Sequence, residues 1–181
     1  MILRPATAAD AGAIAAIYGH HVLHGYGTFE EVPPDEAEIA GRIAAVLDLA
    51  LPYLVAEADG AVIGFAYASP YRTRASSRYT IEDSVYMHPD HQGRGVGKAL
   101  VARVIADCEA LGFHQMVAVI GGSDNAGSIG LHRALGFQHC GVGRAFGHKH
   151  GRWVDIVWMQ RALNGGDSRQ PEGGGLDLGP A

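Results

Sequence analysis

The chain has 181 residues, of which 48% are hydrophobic and 18% are charged, and its formal net charge at pH 7 is -5. A chain of this length is expected to form one domain that buries about two-thirds of the surface exposed by its unfolded state. The negative charge argues against a broad nucleic-acid-binding surface, and no apolar run approaches the ~20 residues that span a bilayer. Two cysteines, Cys108 and Cys140, are too few for a disulfide framework, so a reducing, cytoplasmic location is expected.

Periodicity and turn residues divide the chain into helices and strands. Thr7 and Asp10 have the spacing of a helix-opening capping box, and Asp59-Gly60 is a favoured hairpin turn. The predicted elements, in chain order, are a strand at 2–4, a helix ending near 23, a helix at 35–49, strands at 53–57, 61–69 and 78–87, a helix at 95–113, a strand at 115–120, a helix at 125–137 and two strands within 138–163.

This element order defines the expected fold class. Three consecutive antiparallel strands, followed by a strand between two helices and a final pair of strands, predict an α+β domain with a mixed, mostly antiparallel sheet flanked by helices. The order does not fit a doubly wound nucleotide fold. The domain is expected to span residues 1–163, whereas residues 164–181 are rich in glycine and poor in apolar side chains, which predicts a flexible tail.

A glycine-rich segment, residues 92–98 (QGRGVGK), joins a predicted strand to a predicted helix. A Walker phosphate loop is excluded because Gln92 stands at the first glycine position and Ala99 at the hydroxyl position. The dinucleotide pattern also fails, since Lys98 or Leu100 falls at its last glycine position. Backbone N–H groups with little side-chain bulk at a helix N-terminus nevertheless favour a bound pyrophosphate. An ordinary glycine-rich turn is equally compatible with these residues alone.

The motif Q-G-R-G-V-G resembles the Q/R-x-x-G-x-G/A signature of the GNAT N-acetyltransferases, where it binds the pyrophosphate of acetyl-CoA. The similarity in element order extends from Ile2 to Leu163. Segments 79–97, 128–137 and 147–160 are similar to the branch of phosphinothricin, methionine sulfoximine and methionine sulfone acetyltransferases. The resemblance implies the GNAT fold, acetyl-CoA as co-substrate, a homodimer, and direct acetyl transfer to the α-amine of a small amino acid or analogue.

The resemblance also implies where the coenzyme binds. In this family the strand before the pyrophosphate loop separates from its parallel neighbour, here residues 117–120, and its backbone pairs with the pantetheine arm. Exposed backbone N–H groups on such a strand can be satisfied by ligand amides. Asn125 also fits a simple helix N-cap. The expected coenzyme-binding residues are Val85, Tyr86, Met87, Gln92, Gly93, Arg94, Gly95, Val96, Gly97, Lys98, Asn125 and Ser128.

Two residues match catalytic positions of this family. Glu82 matches the general base of the branch, which takes a proton from the amine as the amine attacks the thioester. Strand alternation separates Glu82 from Asp83, and a structural salt bridge is the alternative for Glu82. His132 matches a position where many members carry a tyrosine that protonates the departing thiolate. Histidine exchanges protons near pH 7, so His132 is open to either proton transfer or to simple helix packing.

The substrate is expected to meet an arginine cluster and an aromatic side chain. Guanidinium groups bind carboxylates through paired hydrogen bonds, so any of Arg72, Arg74 and Arg78 could hold an amino-acid carboxylate. Arg78 lies roughly 13 Å from Glu82 along an extended strand, which exceeds the carboxylate-to-amine distance within one amino acid. By resemblance, Phe29 stands beside the substrate, although it is also compatible with core packing.

Two other functions stay open from the residues alone. An enzyme of the same fold could acetylate a protein N-terminus or a polyamine, but the arginine cluster disfavours a polyamine. A non-catalytic acyl-CoA-binding module is the second alternative, and in such a module Glu82 and His132 would be dispensable. No metal is expected, because His20 and His24 have no evident third ligand.

Overall fold

The computed structural model describes residues 1–177, which form a seven-stranded sheet in the order β1-β2-β3-β4-β5-β7-β6. Neighbouring strands are antiparallel except for β4 and β5, which are parallel. The strands are β1 (Ile2–Pro5), β2 (Tyr53–Ala58), β3 (Ala61–Pro70), β4 (Thr80–Met87), β5 (Gln115–Gly121), β6 (Gln138–Lys149) and β7 (Arg152–Ala162). The predicted mixed, mostly antiparallel α+β fold is confirmed.

Helices cover both faces of the sheet. The described residues contain α1 (Ala11–His24), α2 (Glu36–Asp48), α3 (Val96–Ala110) and α4 (Ala126–Ala134). Helices α1 and α2 pack in one core with Val55 and Phe65, and α3 with α4 packs in the other with Ile81 and Met116. Because neighbouring side chains of a strand point to opposite faces, β2 and β3 supply both cores, with Leu54 and Ala66 in one and Val55 and Phe65 in the other. Within residues 1–177, no helix combines the length and apolar character needed to cross a bilayer.

The turn signals in the sequence correspond to local hydrogen bonds and backbone conformations. The Asp10 carboxylate accepts hydrogen bonds from the backbone N–H of Thr7 at 2.8 Å and from Arg4 at 2.7 Å. This arrangement opens a short 3-10 turn at Ala8–Asp10, after which α1 begins. Asp59 and Gly60 both have positive φ, as the two central residues of a tight hairpin between β2 and β3 require.

The parallel strands β4 and β5 pair over only part of their length. Their register runs from Thr80 opposite Gln115 to Asp83 opposite Ala118. Beyond this point β4 remains paired with β3 as far as Met87, and β5 remains paired with β7. The two strands therefore separate after residues 83 and 118, and the predicted opening between them is confirmed. Each strand has an unpaired backbone edge along this opening.

The segment after β7 contacts the domain over part of its length. Leu176 is buried in the core beside α3, and its backbone N–H donates to the carbonyl of Arg78 at 3.0 Å. The hydroxyl of Tyr79 donates to the carbonyl of Gly173. The composition of residues 164–181 predicts a flexible tail, and this stays a prediction; in the described part, up to residue 177, hydrogen bonds at Asn164, Gly166 and Gly173 accompany the burial of Leu176. Residues 178–181 lie outside the described residues.

Candidate active site

A cleft of about 570 Å³ opens where β4 and β5 separate, within the size range of small-molecule sites. Its walls are the separated halves of the two strands, the glycine-rich turn before α3, the start of α4 and the loop that follows α1. Most of the predicted coenzyme-binding residues line it, whereas Arg94 and Val96 do not. Those on the cleft wall are Val85, Tyr86, Met87, Gln92, Gly93, Gly95, Gly97, Lys98, Asn125 and Ser128.

The glycine-rich turn has the backbone that an anion site requires. Gly93 and Gly95 have φ of 72° and 80°, a left-handed conformation that glycine adopts without steric cost. A side chain at either position would meet open space, so the backbone conformation is the constraint. Gly95 is the N-cap of α3, and the N–H groups of Val96, Gly97 and Lys98 lie in the first turn, where an intrahelical partner is absent. This end of the cleft therefore suits a phosphate group.

Asn125 fixes the start of α4 at the end of β5. Its side-chain oxygen accepts from the backbone N–H of Ser128 at 3.1 Å, and its amide donates to the carbonyl of Gly121 at 3.3 Å. The N-cap interpretation of Asn125 is thereby confirmed. Asn125 and Ser128 also line the cleft, so the N-cap does not exclude coenzyme contact.

Glu82 is half-buried on the face of the sheet that packs against α1 and α2. Tyr67, which packs in that core, lies directly opposite Ser84, and Ser84 shares its face with Glu82. Burial, and secondarily the charge of Asp83, raises the pKa of Glu82 to about 7, although Arg72 acts in the opposite direction. No hydrogen bond or ion pair engages the Glu82 side chain within residues 1–177. The salt-bridge alternative therefore has no support in this part of the chain.

Asp83 and His132 form a buried pair on the opposite face. Oδ2 of Asp83 lies 3.0 Å from Nε2 of His132, and Nδ1 of His132 lies 2.8 Å from the carbonyl oxygen of Ser128. Burial alone lowers the pKa of His132, but the hydrogen bond and charge of Asp83 outweigh it and the pKa is raised. The sequence placed Asp83 on this face without a role, because its partner lies 49 residues away in the chain.

The loop after α1 forms a wall of the cleft that was not predicted. Gly25, Tyr26 and Gly27 line the cleft, and the carbonyl of Tyr26 crosses so close to Gly121 that a side chain there would overlap it. Lys149, which is buried, donates from Nζ to the carbonyl of Thr28 at 2.8 Å. The long-range hydrogen bond from β6 could not be inferred from residue spacing.

Phe29 belongs to the same loop but lies outside the cleft wall. Its ring packs on the backbone of Gly147 in β6, so closely that a side chain at residue 147 would overlap it. The Phe29 side chain remains partly exposed. Its expected position beside the substrate stays a prediction.

The three candidate arginines have different surroundings. Arg72 is exposed, stacks 5.0 Å from the ring centroid of Tyr71, and acts electrostatically on Glu82. Arg74 is exposed at the start of a 3-10 turn. Arg78 donates from Nε to the carbonyl of Ala75 at 2.6 Å and carries the contact with Leu176 through its own carbonyl. Of the three, Arg72 is the arginine whose charge reaches Glu82.

His21 is another cleft residue that was not predicted. Its Nε2 lies 2.8 Å from the carbonyl oxygen of Met87, so Nε2 carries the hydrogen and donates. Burial lowers the pKa of His21, which keeps the ring neutral. In the sequence, His21 appears only as part of the α1 pattern, since Met87 lies 66 residues later. Within residues 1–177, no group of three or more His, Cys, Asp or Glu side chains is arranged to hold a metal ion.

Comparisons with known proteins agree with this architecture. The model of the acetyltransferase (GNAT) family matches residues 15–137. A phosphinothricin N-acetyltransferase from Alcaligenes faecalis is 53% identical over 163 residues, which cover 90% of this chain and 83% of that protein. An L-methionine sulfoximine/L-methionine sulfone acetyltransferase from Salmonella typhimurium is 41% identical over 164 residues, covering 91% of this chain and 95% of that protein.

A solved structure extends the similarity to three dimensions. A GNAT superfamily phosphinothricin acetyltransferase from Sinorhizobium meliloti, crystallised with acetyl-CoA, superposes with a TM-score of 0.93 at 48% identity, covering 98% of this chain and 96% of that chain. The chain therefore belongs to the acetyltransferase (GNAT) family, and the predictions of the family, its branch and an enzymatic activity are confirmed.

Proposed function

We propose that this protein is an acetyl-CoA-dependent N-acetyltransferase acting on the α-amine of a small amino acid or analogue, of the phosphinothricin, methionine sulfoximine or methionine sulfone type. The observation that carries the proposal is the cleft between the separated β4 and β5, which ends at the glycine-rich turn of α3. Such a cleft offers backbone amides to an extended ligand and an N-terminal helix end to its phosphates. The names of the similar proteins support acetyl as the transferred group and an amino-acid analogue as the acceptor.

The coenzyme is proposed to lie along the free edge of β4. Its phosphates would meet the turn at residues 93–98, and its pantetheine arm would follow residues 84–87, a strand length of about 13 Å. The thioester would then reach the point where the strands separate, at Asp83 and Ala118. Lys98, Asn125 and the other predicted coenzyme-binding residues on the cleft wall support this placement.

Glu82 is proposed as the general base. Its pKa of about 7 leaves a large ionised fraction at neutral pH, while the carboxylate remains basic enough to accept a proton. The amine nitrogen bonds to the acetyl carbon as its proton passes to Glu82, directly or through a water, and the carbon–sulfur bond then breaks to release the coenzyme thiolate. Because both reactants are held side by side, orientation contributes much of the rate. Arg72 is proposed to bind the carboxylate of the acceptor, with Phe29 beside its side chain.

Thiol release from acetyl-CoA tests the proposed activity. The panel consists of phosphinothricin, methionine sulfoximine, methionine sulfone, the ordinary amino acids, polyamines and a peptide with a free N-terminus. We expect the amino-acid analogues to give the highest kcat/KM and the polyamines the lowest. Acetylation of the peptide in preference to every small amino acid would contradict the proposed substrate class. Calorimetric binding of acetyl-CoA without turnover of any amine would favour the non-catalytic acyl-CoA-binding module instead.

A homodimer and a cytoplasmic location accompany this proposal. β6 forms an edge of the sheet, and exposed apolar side chains on β6 and β7, namely Val142, Phe146 and Trp153, form the kind of surface that a partner subunit covers. Light scattering should give twice the chain mass, and the double variant Phe146→Glu, Trp153→Glu should give the chain mass. A monomeric wild-type protein would contradict the dimer. The location rests on the two free cysteines and is tested by cell fractionation.

A further inference from the structure

Asp83 and His132 form a buried pair for which the proposed chemistry has assigned no task. The two side chains are 1% and 3% exposed, and both residues line the cleft. Oδ1 of Asp83 has no hydrogen-bond partner within residues 1–177, so His132 is the group in this part of the chain that stabilises the carboxylate. An acidic side chain is rarely buried with so few partners unless its partner carries a charge.

The hydrogen bonds around His132 define its protonation state. Nδ1 faces the carbonyl oxygen of Ser128 at 2.8 Å, and a carbonyl only accepts, so Nδ1 must carry a hydrogen. Nε2 faces the Asp83 carboxylate at 3.0 Å, and an ionised carboxylate also only accepts. Both ring nitrogens are therefore donors, which is the imidazolium form of histidine.

We propose that Asp83 is a positioning residue, which holds His132 as an imidazolium on the α3–α4 face of the sheet so that His132 supplies the proton for the departing coenzyme thiolate. The inference rests on the proposed acetyl transfer and assigns the second proton of that reaction. Glu82, the preceding residue, points to the opposite face, towards α1 and α2. The proton removed from the amine and the proton given to sulfur are thus handled on two sides of the same strand.

The proton leaves His132 on the side of Ser128. Ser128 lines the cleft, and its hydroxyl oxygen lies 3.4 Å from Nδ1 of His132. As the carbon–sulfur bond breaks, the sulfur keeps the electron pair and takes the hydroxyl proton of Ser128, which in turn takes the Nδ1 proton. His132 is left neutral beside the Asp83 carboxylate. Glu82 holds the proton from the amine, and exchange with water returns both residues to their initial states.

The other titratable groups around the pair leave its charges intact. Cys108 of α3 lies close enough for the charge of Asp83 to act on it, and burial, more than that charge, raises the pKa of its thiol, which stays neutral. Glu82 interacts with Asp83 through charge and is itself shifted towards the neutral form, first by burial. Phe137 packs its ring edge-on against His132, with the centroids 5.0 Å apart. His132 is therefore the cation that faces the Asp83 carboxylate in this pair.

Nitrogen-15 NMR of the histidine-labelled wild-type protein tests the charge state without any need for turnover. At pH 7 we expect His132 to show two protonated ring nitrogens, with its signal identified by its loss in His132→Gln. A neutral-ring pattern for His132 at pH 7 would overturn the proposal. If His132 is an imidazolium but no amine is acetylated, the proposed function fails and the charged pair stands. If amines are acetylated while His132 is neutral, the proposal about Asp83 fails alone.

Steady-state kinetics test the catalytic part. Asp83→Asn should lower kcat by on the order of 10²-fold and move the high-pH limb of the kcat profile to lower pH, with the KM for acetyl-CoA little changed. If Asp83 is merely structural, Asp83→Asn will lower the melting temperature and leave the high-pH limb in place. That outcome would overturn the proposal. Cys108→Ala, a variant in the core on the same face of the sheet, is the matched control and should leave the limb unmoved. If Asp83→Asn does not fold, the NMR measurement on the wild-type protein still tests whether His132 is an imidazolium, and a neutral ring overturns the proposal.

Discussion

The two faces of β4 carry neighbouring acidic side chains in opposite environments. Glu82 faces α1 and α2, is half-buried, and has no hydrogen bond or ion pair within residues 1–177. Asp83 faces α3 and α4, is fully buried, and pairs with His132. Strand alternation separates the two carboxyl groups, so burial without a partner raises the pKa of Glu82 to about 7, whereas Asp83 is buried beside His132 at 3.0 Å. Two adjacent residues of one strand thus place their carboxyl groups in different environments, one without a partner and one paired with a histidine.

Replacing Glu82 should have the largest effect on turnover. Glu82→Gln keeps the shape of the side chain but removes the base, so kcat should fall by about 10² to 10⁴-fold. Acetyl-CoA affinity, measured by calorimetry, should be retained because Glu82 does not line the cleft. Asp48→Asn, at the exposed end of α2, is the control and should retain activity. Full activity of Glu82→Gln would remove the distinction between the two acids.

Replacing Glu82 and replacing Asp83 should change the free energy of unfolding in opposite directions. The pKa of Glu82 is raised in the folded state, so its contribution to the free energy of unfolding is present below its ordinary pKa of 4.5 and is lost as the pH rises through about 7. Glu82→Gln should therefore stabilise the protein at pH 8 by on the order of 1 kcal/mol, after allowance for solvent screening, and by less at pH 5.

Asp83→Asn should act in the opposite direction at pH 7. It leaves His132 without its charged partner and should cost about 3 kcal/mol of unfolding free energy. Urea denaturation of both variants at pH 5, 7 and 8 provides the measurement. Two variants that shift stability in the same direction at pH 8 would show that the environments of Glu82 and Asp83 do not differ as described.

The glycine-rich turn tests whether the coenzyme occupies the opening between the strands. Gly95→Ala forces a Cβ into the left-handed conformation at a cost of about 1 to 2 kcal/mol, and we expect acetyl-CoA affinity to fall about 10-fold. Gly41→Ala lies in α2 at a position where a Cβ meets open space, so it is the matched control and should keep the affinity. Equal affinities for wild type and Gly95→Ala would place the coenzyme elsewhere.

The arginines near Glu82 should give the smallest effect. Arg72→Ala should raise the KM for the amino-acid substrate several-fold, since paired hydrogen bonds to its carboxylate are lost. It should also move the low-pH limb of kcat/KM upwards, because Arg72 lowers the pKa of Glu82. Arg74→Ala is the control, and the two KM values should differ. Identical behaviour of the two variants would remove Arg72 as the residue that binds the carboxylate.

Short-range patterns in the sequence predicted most of the fold. Apolar periodicity and turn residues predicted the seven strands and four α-helices that the structure describes within residues 1–177. The separation of β4 from β5 followed from the family resemblance. The glycine-rich turn was recognisable because its motif is contiguous in residues 92–97. Glu82 and Asp83 could be assigned to opposite faces because alternation along a strand depends only on neighbouring residues.

Contacts between distant parts of the chain decided the rest. The partner of Asp83 lies 49 residues away, His21 meets the Met87 carbonyl across 66 residues, and Lys149 reaches Thr28 across 121. The burial of Leu176 also could not be predicted, because a single leucine after a run of glycines forms no periodic apolar pattern. Local preferences act over a few residues, whereas the protonation of Glu82 and His132 depends on which distant groups folding brings to each face of β4.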